Sequence, residues 1–240
     1  MSWLERTELL IQKEGIETLK KAHILIVGLG GVGSFAAEFI ARAGVQKLTL
    51  VDGDVFDITN VNRQLTALQS TIGKSKSQVL ADRLKDINPE IEITIVEEFL
   101  TPEKAFEIVT NEFDFVMDCI DSITPKLNLL IAAKRKKVKI ISSMGAGGKM
   151  DVSKVKVAEI NQTNNCTMAR VIRKRLKKEQ IHKGIKVVFS EEMQQEASLK
   201  LVEHAKYKRS FYGTISFMPA AFGLHAAAYV INYLLKKSKK

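Results

Sequence analysis

The chain is poor in the features that staple, anchor or export a protein. Its 240 residues contain two cysteines, Cys119 and Cys166. That is too few for a disulfide framework, and no Cys-x-x-Cys pair is present to hold a structural zinc. No run of eighteen apolar residues occurs, which argues against a transmembrane helix. The opening residues, Met1-Ser2-Trp3-Leu4-Glu5-Arg6, lack the charged-then-apolar layout of a secretory signal. Internal repeats and low-complexity stretches are absent, apart from a lysine-rich tail. These absences predict a cytoplasmic chain without a membrane segment or a cysteine-bound metal.

What is present is the composition of a globular protein, 45% hydrophobic and 27% charged, enough to bury a full core in one domain over 1–240. Lys and Arg outnumber Asp and Glu by 37 to 27, a net charge of +10. Such an excess favours a polyanionic partner, nucleic acid first. It gathers at Lys134–Lys137, Arg170–Lys178, Lys206–Arg209 and Lys236–Lys240. Solvated surface accounts for any one cluster; four in a chain of this size point to an anionic macromolecule.

The first half alternates strand and helix signals. His23–Gly28 is a short apolar run, as expected of a strand buried on both faces. Helical spacing follows over Val32–Ala43, then strand over Lys47–Asp52. An amphipathic helix over Ser75–Asn88 is stopped by Asn88-Pro89, because the residue before proline disfavours helical geometry. Strands at Ile91–Val96, Phe113–Met117 and Val138–Ser142 alternate with helices at Pro102–Thr110 and Pro125–Arg135. Repeated βα units predict an α/β fold, a doubly wound, mainly parallel Rossmann-like sheet. After Gly145-Ala-Gly-Gly148 the pattern changes to an appended strand and helix portion. It holds half-exposed strand over Val152–Ile160, a basic helix over Met168–Lys178 and strand over Ile185–Phe189. Residues 191–210 read as a mobile loop. Phe217–Leu235 reads as a long apolar core helix, interrupted near its start by Pro219 and Gly223. The nucleotide half is placed at about 1–143 and the C-terminal portion at about 144–240.

Gly28-Leu29-Gly30-Gly31-Val32-Gly33 follows a strand and opens a helix. Gly28 permits the sharp turn, Gly30 lets backbone approach phosphate, and Gly33 allows close helix–strand packing. The helix N-terminus offers free N–H groups to an anion. Asp52, at the end of the second strand, can accept hydrogen bonds from ribose hydroxyls. This much suits NAD and ATP equally, so an NAD-dependent oxidoreductase is one reading. Arg63 and Lys76 stand where cations can reach a triphosphate. Asp121, in Asp118-Cys119-Ile120-Asp121, ends another strand, where a carboxylate can hold Mg²⁺ between phosphates. Two cations and a metal-binding acid favour ATP.

Taken in order, GLGGVGS, VDGD, TNVNRQ, GKSK and DCIDS resemble the adenylating enzymes related to ubiquitin activation and to the bacterial thiamin and molybdopterin activators. The resemblance implies that Asp52 binds ribose, that Arg63 and Lys76 contact phosphates, and that Asp121 coordinates Mg²⁺. It also implies that Gly31, Asn60 and Gln64 line the pocket with the other loop residues, and that Arg6 reaches across a homodimer into the partner's ATP site. The missing Cys-x-x-Cys pairs weaken one branch, which adenylates a ubiquitin-like sulfur-carrier protein. Cys119 lies in the strand-end motif and reads as packed, and Cys166 as an ordinary loop cysteine. Asp121-Ser122-x-x-x-Lys126, Gly145-Ala-Gly-Gly148 with Asp151, and the basic Arg170–Lys178 segment are similar to the tRNA threonylcarbamoyladenosine dehydratases. That branch implies tRNA carrying threonylcarbamoyladenosine as substrate and cyclisation through an acyl-adenylate. The sequence departs from it at Asn165-Cys166-Thr167, where relatives commonly have Asp-Pro-Leu, and residues 191–216 lack the cysteine of some relatives. Lys126 reads either as active-site floor or as helix surface.

Overall fold

The computed structural model describes residues 2–201 and 210–237. Among them are nine strands: β1 (His23–Val27), β2 (Lys47–Val51), β3 (Glu92–Val96), β4 (Phe115–Asp118), β5 (Ile140–Ser143), β6 (Val155–Glu159), β7 (Lys186–Ser190), β8 (Leu199–Leu201) and β9 (Ser210–Tyr212). The first seven form one sheet in the order β3-β2-β1-β4-β5-β7-β6. Every neighbouring pair is parallel except β6 with β7. The expected doubly wound, mainly parallel sheet is borne out.

Helices α1 (Glu5–Lys21), α2 (Gly33–Arg42), α3 (Lys76–Ile87), α4 (Pro102–Ile108), α5 (Ile123–Arg135), α6 (Thr167–Lys178) and α7 (Phe217–Lys237) cover both faces. Local chemistry fixes several ends. The Ser75 hydroxyl accepts from the Gln78 amide and starts α3; Asn88, extended before Pro89, stops it. Thr101 caps α4, and Pro102 occupies the first helical position, where an N–H would have no partner. Strand pleating divides the core in two. Ile24 and Ile26 pack with Ala36, Ile40, Leu80, Leu84 and Phe222 on one face. Leu25 and Val27 pack with Ala105, Leu129, Ile172 and Leu176 on the other.

Three features depart from the sequence reading. First, α1 was not visible as a helix: it buries little beyond Ile16 and Leu19, and its backbone breaks at Gln12 (φ 64°, ψ 171°). Second, α7 is uninterrupted. Pro219 falls in its first turn, where a missing N–H costs nothing, and Gly223 sits against Val32, just before α2, and Ala36 within it. By length and composition α7 could cross a bilayer, but Met218, Phe222, Ala226, Val230 and Leu234 are buried in the sheet core, as expected of a core helix. Third, part of the stretch read as a mobile loop is ordered, with a 3₁₀ turn at Glu196–Ser198 and an antiparallel β8–β9 pair. The basic cluster Lys206–Arg209 and tail residues 238–240 lie outside the described residues.

Candidate nucleotide site

Strand order reverses between β1 and β4, so the connections leaving these strands diverge to opposite faces and open a crevice at their C-terminal ends. Register brings the loops out at one level: Val27 lies opposite both Val51 and Asp118. The Gly28 amide donates to the Val51 carbonyl at 2.9 Å, and the Cys119 amide to the Val27 carbonyl at 2.8 Å.

The glycine loop fills the gap between β1 and α2. Gly28 adopts φ 86°, and a side chain there would meet the Cys119 carbonyl carbon at 2.9 Å. At Gly33 a Cβ would lie 1.8 Å from the Gly28 carbonyl oxygen, so only glycine lets α2 start against the loop. Gly31 backs onto Pro219 of α7, whereas Gly30 faces the Gln64 side-chain amide. Gln64 is buried, and its Oε1 makes no hydrogen bond among the described residues. A buried orphan acceptor is costly unless a ligand or water satisfies it. The Nε2 of the same side chain is the atom that faces Gly30.

Around this loop the acids and cations are already engaged with protein partners. Asp52 accepts from the Leu29 amide at 2.6 Å and from the Asp54 amide at 2.9 Å. Burial pushes its carboxyl above the usual range, against the pull of Lys76. Lys76, the first residue of α3, is buried, and its ammonium lies 2.9 Å from Asp54. Asp54 was missed by sequence reasoning, although it is the second acid of the quoted Asp52-Gly53-Asp54 motif. Arg63 donates to the Thr59 carbonyl at 2.8 Å and to Asn62 Oδ1 at 2.9 Å. Asn60 is buried and accepts from the Asp57 amide at 3.2 Å, which shapes the turn carrying Arg63 and Gln64.

Past β4 lies a feature the sequence left open. Lys126 is not on the helix surface; both it and Asp118 are completely buried. All three ammonium protons find acceptors: Asp118 Oδ2 at 2.7 Å, Ser142 Oγ at 3.2 Å and the Ser143 carbonyl at 2.9 Å. Burial pushes the Asp118 carboxyl up while Lys126 pulls it down. Asp121 is three residues further on, exposed at the crevice rim, where Ser122 Oγ donates to it at 3.2 Å. Desolvation and the Asp118 charge push the Cys119 thiol up to about 12, so it is protonated at neutral pH and a poor nucleophile. Cys166 corrects the loop reading: it is buried in the core at the N-cap of α6.

Arg6 lies away from the crevice. Leu4 packs on Gly44, at the end of α2 remote from the glycine loop. Arg6, exposed two residues later, is therefore not gathered with the other site residues of its own chain. On α6, Arg170, Lys174, Lys177 and Lys178 are exposed on one face. Arg173 instead turns inward, donating to the Ile160 and Thr163 carbonyls and to the Thr163 hydroxyl.

A glycine loop at a strand-order switch, with a strand-end acid and two cations nearby, defines a nucleotide-binding α/β protein. The model of the ThiF family matches residues 4–240, and the chain belongs to that family. It is 42% identical over 238 residues to a tRNA threonylcarbamoyladenosine dehydratase of Bacillus subtilis, covering 96% of this chain and 94% of that one. The crystal structure of Escherichia coli tRNA N6-threonylcarbamoyladenosine dehydratase in complex with ATP matches with a TM-score of 0.89. Identity there is 32%, over 98% of this chain and 94% of the other. The molybdopterin-synthase adenylyltransferase of E. coli is 37% identical, but over 138 residues, 58% of this chain and 54% of that protein.

The buried pair yields a stability prediction. Lys126→Met strands the Asp118 carboxylate and should cost about 3–5 kcal/mol in urea unfolding, with Asp118→Asn in the same chain recovering part of the loss. A Lys126→Met protein as stable as wild type would contradict the pairing.

Proposed function

We propose that the chain dehydrates N6-threonylcarbamoyladenosine in tRNA at the expense of ATP. The observation that carries this reading is the extent of the likeness. The match to the dehydratases runs through nearly the whole chain, whereas the match to the molybdopterin-synthase adenylyltransferase covers little more than half. With neither a Cys-x-x-Cys pair nor a reactive thiol at Cys119, adenylation of a ubiquitin-like sulfur carrier is the weaker reading. NAD-dependent oxidoreduction leaves Arg63 and Lys76 without a task. We take residues 1–240 as one adenylating domain working in the cytoplasm, where its tRNA substrate is found.

In this reading the threonine carboxylate, a poor electrophile, attacks the α-phosphate of ATP. Pyrophosphate leaves and an acyl-adenylate forms. Asp52 holds the ribose, the amides of Gly28–Gly33 face the phosphates, and Asn60 and Gln64 line the pocket. Lys76 exchanges Asp54 for phosphate and, with Arg63, stabilises the developing charge, commonly the largest catalytic contribution in such transfers. Asp121 would hold Mg²⁺, which needs only one or two protein carboxylates when phosphates supply other ligands; when bound it neutralises phosphate charge. The neighbouring ureido group then attacks the activated carbonyl, AMP leaves, and a ring closes with net loss of one water. Because the nucleophile is intramolecular, high effective molarity replaces an enzyme thiolate. Exposed Arg170, Lys174, Lys177 and Lys178 hold the tRNA backbone.

The test is mass spectrometry of modified tRNA incubated with enzyme and Mg·ATP. Loss of one water with release of AMP and pyrophosphate is expected; pyrophosphate release stimulated by a ubiquitin-like protein and not by tRNA would transfer the assignment to the sulfur-carrier reading. Glu at Lys174, Lys177 and Lys178 together should weaken tRNA binding and flatten its log–log salt slope by about 0.7–0.9 for each phosphate no longer neutralised, leaving ATP affinity intact.

A homodimer with a shared site follows from the same reading. Supporting it, Arg6 stands apart from its own crevice, and Trp3, Leu9 and Leu10 beside it are exposed. Mixing Arg6→Ala with Lys76→Ala chains should restore about a quarter of wild-type activity, since half the dimers are mixed and each of these holds one intact site. Mixed dimers without activity would contradict a contribution in trans.

A further inference from the structure

A further cavity adjoins the nucleotide crevice at Asn62. Its volume is about 380 Å³, within the range of small-molecule sites. Its walls are the Gly148–Met150 turn after β5, the Gln195–Ser198 turn before β8, and the Gly213–Ser216 segment between β9 and α7. Asn62 closes the fourth side.

These walls are stitched together by the backbone. Gly148 donates to the Gly213 carbonyl at 2.8 Å, Gln195 to the Gly148 carbonyl at 2.9 Å, and Gly213 to the Ser198 carbonyl at 2.8 Å. The buried Lys149 ammonium donates to the Ser190 and Glu192 carbonyls. The Glu192 carboxylate in turn accepts from the Met150 and Asp151 amides at 2.8–3.0 Å. The cavity is therefore held open by long-range contacts independent of any occupant.

Two links tie it to the nucleotide residues. The Asn62 side chain donates to the Thr214 carbonyl at 2.9 Å while its oxygen accepts from Arg63. One amide thus spans the cavity wall and the guanidinium assigned to phosphate. On the other side, Ser216 leads into α7, whose Pro219 touches Gly31 of the glycine loop. An occupant lies one side chain away from the phosphate cation.

We propose that this cavity is the acceptor pocket, taking the threonylcarbamoyl side chain of the modified adenosine and presenting its carboxylate toward Arg63. The assignment rests on the dehydratase reading. Its chemistry suits the lining: a ureido group and a hydroxyl have partners in Asn62, Gln195, Ser198 and the surrounding backbone groups, and Met150 and Ile215 supply apolar wall for the threonine methyl. Asn62 acts here as a positioning residue between acceptor and phosphate.

Filling the space is the discriminating test. Ser198→Trp should lower kcat/KM for modified tRNA at least tenfold, with ATP and unmodified tRNA binding unchanged within twofold. Free N6-threonylcarbamoyladenosine nucleoside should compete in the wild type and not in Ser198→Trp. If Ser198→Trp loses ATP affinity, Gln195→Trp on the same exposed wall replaces it with the same expectations. A filled variant that dehydrates modified tRNA as fast as wild type overturns the pocket and leaves the proposed function standing. A wild-type enzyme that does not dehydrate modified tRNA overturns the function itself.

Discussion

The buried Lys126–Asp118 pair is the interaction on which the crevice depends. Taking two charges out of water is expensive, and mutual attraction offsets that cost only when geometry is good and the remaining donors and acceptors are filled. Here they are. The ammonium has three acceptors on β4 and β5, and Asp118 accepts from Ser142 Oγ at 2.5 Å and from the Ile120 amide at 3.0 Å. The pair fixes α5 to the ends of two strands and sets the path from Asp118 to Asp121. Because the Cys119 carbonyl presses on Gly28, the same pair supports the floor of the glycine loop.

Above that floor, the charged groups are engaged with protein partners; in the proposed reading a nucleotide exchanges those partners instead of meeting bare groups. Lys76 rests on Asp54, Asp52 on loop amides, and Arg63 on Thr59 and Asn62. Each cation is held on a fixed protein partner, and Asp52 carries a desolvation penalty that raises its pKa. Gln64 Oε1 is the exception, a buried acceptor with no hydrogen-bond partner among the described residues. Such preorganisation lets phosphate charge be stabilised without large rearrangement at the moment of transfer.

Most of the parallel sheet was legible, because buried strands and amphipathic helices write their periods into contiguous residues. The glycine loop and Asp52 were legible for the same reason: turn chemistry and strand end lie within one short stretch. What escaped depends on distant partners. Lys126 carries no local sign of burial; its three acceptors come from β4 and β5. Arg173 reads as one more cation on a basic helix until the Thr163 and Ile160 carbonyls fold beneath it. Cys166 sits among polar neighbours, yet the start of α6 turns it into the core. The acceptor cavity is built from residues up to 154 positions apart, counting from Asn62 to Ser216, with no period to betray it. Helix α1 was missed because little of it is buried.

Activation of the carboxylate by adenylation is tested most directly with tRNA whose threonylcarbamoyl carboxylate carries oxygen-18. Attack on the α-phosphate transfers one carboxylate oxygen to AMP, so one labelled oxygen in AMP per ring closed is the predicted result. Label appearing in inorganic phosphate together with ADP, and none in AMP, would contradict it.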